Sequence, residues 1–468
     1  MSDSILSQRW PWGLAAFLAI AIYAASLVEF RSEPADSRPV GTAEDIERLA
    51  ETEGVNVLFV LIDTLRASRM SVYGYENQTT PYLERFASRG VRFARHLAQS
   101  SWTKSSMASL WTGMYPPRTG VTRFDHALSD EARMPAEVLR DAGYRTIGIY
   151  RNGWVSGYFG FQQGFDVYVR PNARPLPPSL RRENPTVSST GSDMDAVDAA
   201  LEFLRLHGDE PWFLYLHLMD LHEYVYDQES ARFGTTNSGV YDNSILREDY
   251  VVETLLAGVD AMGYLDDTIV VIASDHGEAF GERGIEGHAR EVYPETTEVP
   301  LLLGFPFQLE GGAEVSRRTA NVDLWPTILQ LLGLPALENI DGVSRVPEIL
   351  AAVRGEPAPT ADRHHFAFLD QSWGGSTPRP DPSVAVVEGD LRYVVGNAVG
   401  GRRVEVLYDR AEDPLEQRNL ASERVEDLDR LREAGEALIA QPPDWEESPL
   451  EIDEMDLNQL RALGYAVP

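Results

Sequence analysis

The sequence predicts an α/β protein in which a parallel sheet is covered by helices on both faces. Three observations support this class: short runs that are apolar throughout, helical patterns between them, and a length of 468 residues, which is enough to bury a large core. Residues 135–142 and 249–265 have the periodicity of helices, so strands and helices alternate along the chain. The apolar runs are residues 56–63, 145–150, 212–220, 268–275 and 299–305.

The N-terminal segment is predicted to be a membrane anchor. Residues 10–28 carry no charge between Arg9 and Glu29. At about 1.5 Å per residue, a helix of this length nearly spans a hydrocarbon core of about 30 Å. Residues 1–9 would then be cytoplasmic and the catalytic part extracytoplasmic, in the periplasm or outside the cell. The alternative is a signal segment cleaved after Ser26, which would release a secreted protein.

The rest of the chain is predicted to form a linker, a catalytic domain, a small subdomain and a tail. Residues 29–54 are charged and contain proline, which is typical of a linker. Residues 55–350 hold the alternating strands and helices of the catalytic domain. Residues 351–440 form a C-terminal α+β subdomain and residues 441–468 a tail. The predicted elements of the subdomain are a hairpin at 384–395, a strand at 403–407 and an amphipathic helix at 421–440.

Acidic residues end three of the predicted strands. Asp63, Asp220 and Asp275 each close an apolar run. Ligands of an open α/β sheet bind at the carboxyl ends of its strands, so we expect these carboxylates to converge on one rim. Taken alone, Asp63 could equally cap the turn after its strand.

Thr103 is the predicted nucleophile. It lies in the stretch SSWTKSSMASLWTG, and a threonine hydroxyl needs a cation to favour its alkoxide. Asp63, Asp275 and His276 are suitable oxygen and nitrogen ligands for that cation. The sequence therefore predicts a divalent metal ion bound by Asp63, Thr103, Asp275 and His276.

A second polar set accompanies the first. Asp220 and His222 in HLMDLHEYV, with His288 in EGHARE, either bind a second metal ion or hold the transferred group and protonate its leaving oxygen. Lys104, the only lysine of the chain, either stabilises charge on the substrate's non-bridging oxygens or is a solvated surface residue. The remaining histidines are predicted to be structural: His96, His126, His207, His217, His364 and His365.

Composition restricts the partners. The chain has 73 acidic and 41 basic residues and a formal net charge of −32, which disfavours nucleic acid because that partner needs a cationic surface. It has no cysteine, so its stability owes nothing to disulfides. The predicted partners are a small-molecule or cell-envelope ester and, through the N-terminal segment, a membrane.

Several motifs resemble the sulfatases of the alkaline phosphatase superfamily, from residue 55 to about residue 421. They are NVLFVLIDTLRA, TTPYLERFASRGVRF, SLWTGMYPPRTGV, GFDVY, SDHGEAFGE, DLWPTILQLLG and LYDRAEDPLEQRNLA. The resemblance implies an alkaline-phosphatase-like fold with a central mixed, mostly parallel sheet and a C-terminal four-stranded sheet with a helix. It places metal ligands at Asp63, Asp275 and His276. It places the nucleophile at Thr103 and groups that hold the ester's charged head at His222 and His288.

The nucleophile motif departs from the family's pattern. True sulfatases carry a Cys or Ser, followed by a Pro and an Arg, and convert the first residue to formylglycine; this chain has Thr103, Ser105 and Met107 there. Oxidised threonine would be a ketone, which cannot give the aldehyde hydrate that expels sulfate. Water can instead displace phosphate in line from a phosphothreonine.

Three further departures concern the metal and the substrate. Thr64 stands where many sulfatases have another Asp ligand, and Glu223 follows His222 where a proline is common. His276 replaces an Asn found in many sulfatases, which shifts the expected ion from Ca²⁺ towards Zn²⁺ or Mn²⁺ because imidazole suits transition metals.

These observations predict a metal-dependent hydrolase or transferase that acts on phosphate mono- or diesters through a covalent phosphothreonine at Thr103. The divalent ion is Zn²⁺, Mn²⁺, Mg²⁺ or Ca²⁺. One alternative is a sulfate-ester hydrolase of the same fold. A second, from another class, is a non-catalytic extracytoplasmic binding protein.

Overall fold

The structure is a computed structural model. It describes residues 14–15, 17, 36–171, 191–359, 363–370, 380–397 and 402–446. The chain divides into two compact units, Met1–Arg38 and Pro39–Pro468, and every element described below belongs to the second.

The described strands and helices alternate through most of the second unit. The strands are β1 (Val40–Gly41), β2 (Asn56–Ile62), β3 (Val91–Leu97), β4 (Arg145–Tyr150), β5 (Val167–Val169), β6 (Trp212–Leu218), β7 (Thr268–Ala273), β8 (Ala279–Phe280), β9 (Glu286–Gly287), β10 (Glu298–Val299), β11 (Leu301–Gly304), β12 (Gln308–Leu309), β13 (Ala313–Ala320), β14 (His365–Asp370), β15 (Pro382–Glu388), β16 (Leu391–Asn397) and β17 (Arg403–Asp409). The helices are α1 (Ala43–Arg48), α2 (Pro81–Ala87), α3 (Thr103–Thr112), α4 (Pro116–Thr119), α5 (Pro135–Asp141), α6 (Asp193–His207), α7 (Asn237–Ala261), α8 (Pro294–Thr297), α9 (Leu324–Leu331), α10 (Val346–Arg354) and α11 (Val425–Ile439).

A nine-stranded mixed sheet forms the centre of this unit. Strands β7, β2, β6, β4 and β5 are adjacent in that order and parallel, whereas β11 runs antiparallel to both β7 and β3. Strand β3 therefore points the same way as β7, and β13 pairs with β3 in parallel. The carboxyl ends of β2, β3, β4, β6 and β7 consequently share one rim of the sheet.

The apolar strands are explained by burial on both faces of the sheet. Along β2, Val57, Phe59 and Leu61 pack into one hydrophobic core, and the alternate residues, 58, 60 and 62, pack into a second core on the opposite face. Successive side chains of a strand point to opposite faces, so a strand between two helical layers must be apolar throughout.

The C-terminal subdomain is an antiparallel sheet in the order β14-β15-β16-β17, with α11 packed on it. Leu431 and Leu438 of α11 share a hydrophobic core with Val384 and Tyr393 of the sheet. The Phe368 amide of β14 donates to the Gln99 carbonyl at 2.8 Å, just before α3. The subdomain thus supports the segment that leads to Thr103.

The predicted fold class, including this subdomain, is confirmed, and most predicted elements are present within two residues of their predicted ends. Helix α7 begins at Asn237 rather than at residue 249, because its N-terminal half buries polar residues that obscure the apolar periodicity. Asn243, for example, accepts the amides of Arg232 and Phe233. The predicted domain boundaries remain predictions, and residues 447–468 of the predicted tail lie outside the described residues.

The prediction of a membrane anchor, and with it the membrane-anchored localisation, is wrong. No helix among the described residues has the length and apolar character needed to cross a membrane. Of residues 10–28, only Leu14, Ala15 and Phe17 are described, as helical, and the others lie outside the described residues. A spanning helix needs about 20 consecutive apolar residues.

The buried carboxylate of Asp249 holds the N-terminus of α2, because it accepts the amides of Tyr82 and Leu83 at 2.8 and 2.9 Å. We expect Asp249→Ala to lower the free energy of unfolding by about 1–3 kcal/mol, since two helix N-terminal amides lose their acceptor. The control is Glu253→Ala, one turn further along α7, whose ion pair with Arg85 is partly exposed. Urea denaturation that shows equal losses for both variants would contradict this role.

Candidate active site

The rim of the sheet brings together residues from four strand ends. Asp63 follows β2, Asn152 follows β4, and Asp275 follows β7 by two residues. Helix α3 begins at Thr103, a few residues after β3, and is buried along its whole length. The positive end of a helix dipole therefore lies at the Thr103 hydroxyl, where it favours negative charge.

Two hydrogen bonds fix the orientation of the Asp63 carboxylate. Asn152 Nδ2 donates to Asp63 Oδ2 at 2.5 Å, and His217 Nε2 donates to the same oxygen at 3.2 Å. The Tyr215 hydroxyl lies 2.7 Å from His217 Nδ1, which holds the imidazole in place. Asp63 Oδ1 is buried and has no hydrogen-bond partner among the described residues.

The Asp275 carboxylate, like that of Asp63, has hydrogen-bond partners on one of its two oxygens. Its Oδ1 accepts the amides of Thr64 and His276 at 3.3 and 2.9 Å, and its Oδ2 is buried with no hydrogen-bond partner among the described residues. Burial raises the pKa of Asp275, and the negative charge of Asp63 raises it further. Burial also acts to raise the pKa of Asp63, but the hydrogen bond from His217 and the neighbouring histidines outweigh it and lower that pKa.

His276 presents an unprotonated nitrogen to this pair. Its Nδ1–H donates to the Gly277 carbonyl at 3.0 Å, which leaves the lone pair of Nε2 free. Nε2 lies 3.1 Å from Thr103 Oγ1, 3.4 Å from Asp275 Oδ2 and 3.8 Å from Asp63 Oδ1. Burial, together with the nearby His288, lowers the pKa of His276 to about 3, so the ring is neutral near pH 7.

These donors fit a divalent cation. The two carboxylate oxygens without partners, the free imidazole nitrogen and the threonine hydroxyl are all ligands that such an ion accepts. Ligand atoms of Asp63, Asp275 and His217 also lie within 4.8 Å of one another. We assign His217 to orienting Asp63 rather than to the ion, because its Nε2 already donates to Asp63.

Two further histidines extend this site. The His288 ring lies 4.5 Å from that of His276 and 5.1 Å from that of His222, measured between centroids. Glu278 Oε2 accepts from His288 Nδ1 at 3.1 Å. Burial lowers the pKa of His288, but Glu278 outweighs it and raises that pKa, whereas burial lowers the pKa of His222. The His288 ring therefore lies between the rings of His276 and His222 in this chain of contacts.

Asp220, His222 and His288, the predicted second metal or substrate site, are not among the groups of described residues whose ligand atoms all lie within 4.8 Å of one another. Asp220 instead joins a buried ion pair with Arg151, whose guanidinium also bonds Asp193 at 2.6 Å, and Asp220 Oδ2 accepts the Asp193 amide at 3.1 Å. Asp193, Asp220 and Glu248 form a second acidic cluster, but the Arg151 guanidinium already supplies the positive charge between the first two.

One of the two predicted roles of Lys104 requires correction. Its side chain is 0 % exposed, so it is not a solvated surface residue. The ammonium donates to the carbonyls of Phe124 and His126 and lies over the Phe159 ring, 4.1 Å from the centroid. These contacts engage Nζ with carbonyls and a ring face, and the predicted charge stabilisation on the substrate stays a prediction.

Asn152 and His217 are the site residues that the sequence reasoning missed. Asn152 donates to both Asp63 and Thr103, the latter at 3.4 Å. Its position just after β4 was the available signal, since strand ends supply ligand contacts. Three of the non-glycine residues with positive φ, Thr64, Tyr224 and Ala289, also lie beside site residues, and such strain is concentrated at functional sites.

Comparison with known proteins identifies the relatives of the chain. A family model described as Sulfatase matches residues 55–334. The chain is 25% identical over 415 residues to the ulvan-active sulfatase of Formosa agariphila, covering 80% of this chain and 78% of that protein. It is 27% identical over 380 residues to human N-acetylgalactosamine-6-sulfatase, covering 68% of this chain and 72% of that protein.

Solved structures agree on the fold. A 2-O GAG sulfatase gives a TM-score of 0.68 at 19% identity, covering 85% of this chain and 99% of that chain. The phosphonate monoester hydrolase of Agrobacterium radiobacter gives a TM-score of 0.63 at 20% identity, covering 86% of this chain and 98% of that chain.

The donor set predicts distinct effects on metal affinity. We expect Asp275→Asn to weaken Mn²⁺ binding by more than about 100-fold, because it removes a charged ligand, and His217→Gln by about 10- to 100-fold, because it releases Asp63. Asp227→Asn, in a surface ion pair with Arg247, is the control. Isothermal titration calorimetry that finds wild-type affinity in Asp275→Asn would exclude this metal site.

Proposed function

Because the chain belongs to the sulfatase family, we propose that it is a metal-dependent hydrolase of anionic esters with Thr103 as its nucleophile. The observation that supports this most directly is the Thr103 hydroxyl, 3.1 Å from the neutral nitrogen of His276 and beside the unpartnered oxygens of Asp63 and Asp275. A divalent ion held by Asp63, Asp275, His276 and Thr103 would stabilise the threonine alkoxide and polarise the ester.

The other site residues bind and orient in this proposal. Asn152 directs its amide at the Thr103 oxygen and at Asp63, which holds the nucleophile against its ligands. Glu278 raises the pKa of His288 against the effect of burial, and the protonated ring would attract the anionic head of the ester and donate a proton to the leaving oxygen. His222, which is neutral, contacts the His288 ring and lines the site beside it.

Sulfate esters are the substrate class that the relatives favour. Their names include an ulvan-active sulfatase, a 2-O GAG sulfatase and N-acetylgalactosamine-6-sulfatases, so we propose a sulfated sugar as the first class of ester to test. Sequence reasoning put phosphate esters first, and the relatives reverse that order.

Phosphate mono- or diesters are the second candidate, and Thr103 is the observation that favours them. A threonine cannot give the aldehyde hydrate of a sulfatase, whereas a phosphothreonine is resolved by in-line attack of water. The fold is shared with a phosphonate monoester hydrolase. The threonine accounts for this second class without any modification of the chain.

Replacement of the nucleophile tests the proposal. We expect Thr103→Ala to lower turnover by about 10³-fold or more, because it removes the hydroxyl that contacts His276, and Thr103→Ser to retain part of it. The measurement is hydrolysis of nitrophenyl sulfate, nitrophenyl phosphate and bis-nitrophenyl phosphate with Mn²⁺, Zn²⁺, Mg²⁺ or Ca²⁺ added. Ser109→Ala, on the same helix, is the control and keeps wild-type turnover.

The preferred ester decides between the two substrate classes. Full activity of Thr103→Ala would refute the nucleophile. Intact Mn²⁺ binding with no turnover of any ester would instead favour a binding protein of the same fold.

Glu278 sets the pH at which His288 loses its charge. The carboxylate raises the pKa of His288, so the ring is charged below that raised pKa and neutral above it. In Glu278→Gln we expect the decline of kcat/KM with rising pH to begin about one unit lower or more, because the stabilising charge is removed. Glu286→Gln, exposed on the same β8–β9 hairpin, is the control. An unshifted alkaline limb would show that His288 does not act as a cation.

A further inference from the structure

The environment of Lys104 is unusual for a lysine. Its ammonium lies 4.1 Å from the Phe159 ring centroid, 5.1 Å from that of Trp154 and 5.3 Å from that of Trp102. It also donates to two backbone carbonyls, those of Phe124 and His126. Three ring faces and two carbonyl oxygens therefore surround one charge that is 0 % exposed.

The identity of the residue is as informative as its place. The chain has 41 lysine and arginine residues, and all of them except Lys104 are arginines. The lysine at this position is therefore an exception in the composition of the chain. Two carbonyls that converge on one atom suit a compact ammonium, whereas a planar guanidinium presents its donors in a wide fork. Burial lowers the pKa of Lys104 well below its ordinary value against the opposing charge of Asp125. Carbonyl oxygens and ring faces are groups that stabilise an ammonium.

Lys104 joins the nucleophile to two loops. It follows Thr103 directly at the start of α3. Its ring partner Trp154 donates its amide to Asn152 Oδ1 at 2.8 Å, and Asn152 in turn contacts Thr103 and Asp63. The Trp102 and Trp154 rings also meet edge to face, at 5.4 Å between centroids.

The second loop, which carries Lys104's two acceptors, has anchors of its own. His126 Nδ1 lies 2.6 Å from the Gly120 carbonyl, and Arg123 Nε donates to Asp370 of β14 at 2.7 Å. Lys104 is thus the point at which the 120–126 segment, the Asn152–Phe159 segment and the first turn of α3 are held together.

We propose that Lys104 is a positioning residue whose caged ammonium holds the Asn152 segment against the first turn of α3, so that Asn152 keeps its contacts with Thr103 and Asp63. Lys104 itself does not touch the ester. The kinetic part of this inference rests on the hydrolase proposed above, and the structural part does not.

The first measurement uses the uniqueness of the lysine. An amine-reactive reagent has Lys104 and the N-terminal amine as its targets in this chain, and peptide mass mapping separates the two. We expect Lys104 of the native protein to remain unlabelled under conditions that label it fully in urea. Native labelling at the unfolded rate would overturn the caged arrangement.

The second measurement is a double-mutant cycle between Lys104→Met and Asn152→Ala. Methionine keeps the apolar stem and removes the ammonium, so we expect kcat to fall by about 10- to 100-fold while KM changes little, as for a misplaced reacting group. If Lys104 acts through Asn152, the kcat of the double variant is no lower than that of the poorer single variant. A double variant whose loss in kcat equals the product of the two single losses would overturn the proposal.

Two controls separate positioning from folding. Arg85→Met removes a cation over the Tyr82 ring on α2, remote from the nucleophile, and we expect it to leave kcat unchanged. If Lys104→Met does not fold, Phe159→Leu replaces it in the cycle, because it removes the nearest ring face and keeps the ammonium. We expect Phe159→Leu to lower kcat by the same factor, and the double variant with Asn152→Ala to have a kcat no lower than that of the poorer single variant. An unchanged kcat in Phe159→Leu would overturn the proposal.

Mn²⁺ affinity distinguishes failure of this inference from failure of the proposed hydrolase. If the wild type turns over no ester, the hydrolase proposal fails. The double-mutant cycle is then measured by Mn²⁺ affinity instead of kcat. Asn152 orients Asp63, so we expect Lys104→Met to weaken Mn²⁺ binding by about 10-fold. The double variant with Asn152→Ala is expected to bind Mn²⁺ no more weakly than the poorer single variant. Unchanged affinity in Lys104→Met would overturn the positioning role.

Discussion

The site depends on one electrostatic constraint, the burial of two carboxylates that face one another at the ends of adjacent strands. Asp63 and Asp275 follow β2 and β7, which pair in parallel, and each keeps one oxygen without a partner among the described residues. Two buried like charges repel, and a cation between them relieves that repulsion. The surroundings complete the arrangement: Asn152 and His217 hold one carboxylate, and backbone amides hold the other. A neutral His276 then adds a nitrogen without adding charge.

Buried ion pairs hold the loops that carry the rest of the site. Arg151 bridges Asp193 and Asp220, which ties the end of β4 to the end of β6, between Asn152 and His222. Arg283 plays the same part for the His288 segment, because it pairs with Glu416 of the C-terminal subdomain at 2.9 Å. Removal of Arg151 would leave the buried charges of Asp193 and Asp220 without this compensation, so Arg151 fixes loop positions more strongly than surface pairs do. The subdomain therefore helps to position the His288 segment, and none of its described residues is among the candidate ligands.

Much of the fold followed from hydrophobic pattern. Strands β2, β4, β6 and β7 are buried on both faces, so their apolar runs allowed the strands to be predicted from the sequence alone. Strand β3 was not, because polar residues alternate along it, as in VRFARHL, and its partners β11 and β13 come from more than 200 residues away in the chain. The N-terminal segment shows the opposite error: an uncharged run was taken for a spanning helix that the described residues do not contain.

The sequence by itself predicted Asp63, Asp275 and His276 as candidate ligands, because a ligand type at the end of an apolar run is a local signal, and it predicted Thr103 as the nucleophile from the motif around it. Tertiary structure alone decided what lies next to what. Lys104 adjoins the nucleophile in sequence, yet its ammonium is enclosed by rings and carbonyls; Asp220 lies two residues from His222, yet it pairs with Arg151. His217 was predicted to be structural and in fact contacts Asp63. The reason is physical: the direction of a side chain depends on burial and on partners supplied by distant segments, and neither is encoded in the spacing of neighbouring residues.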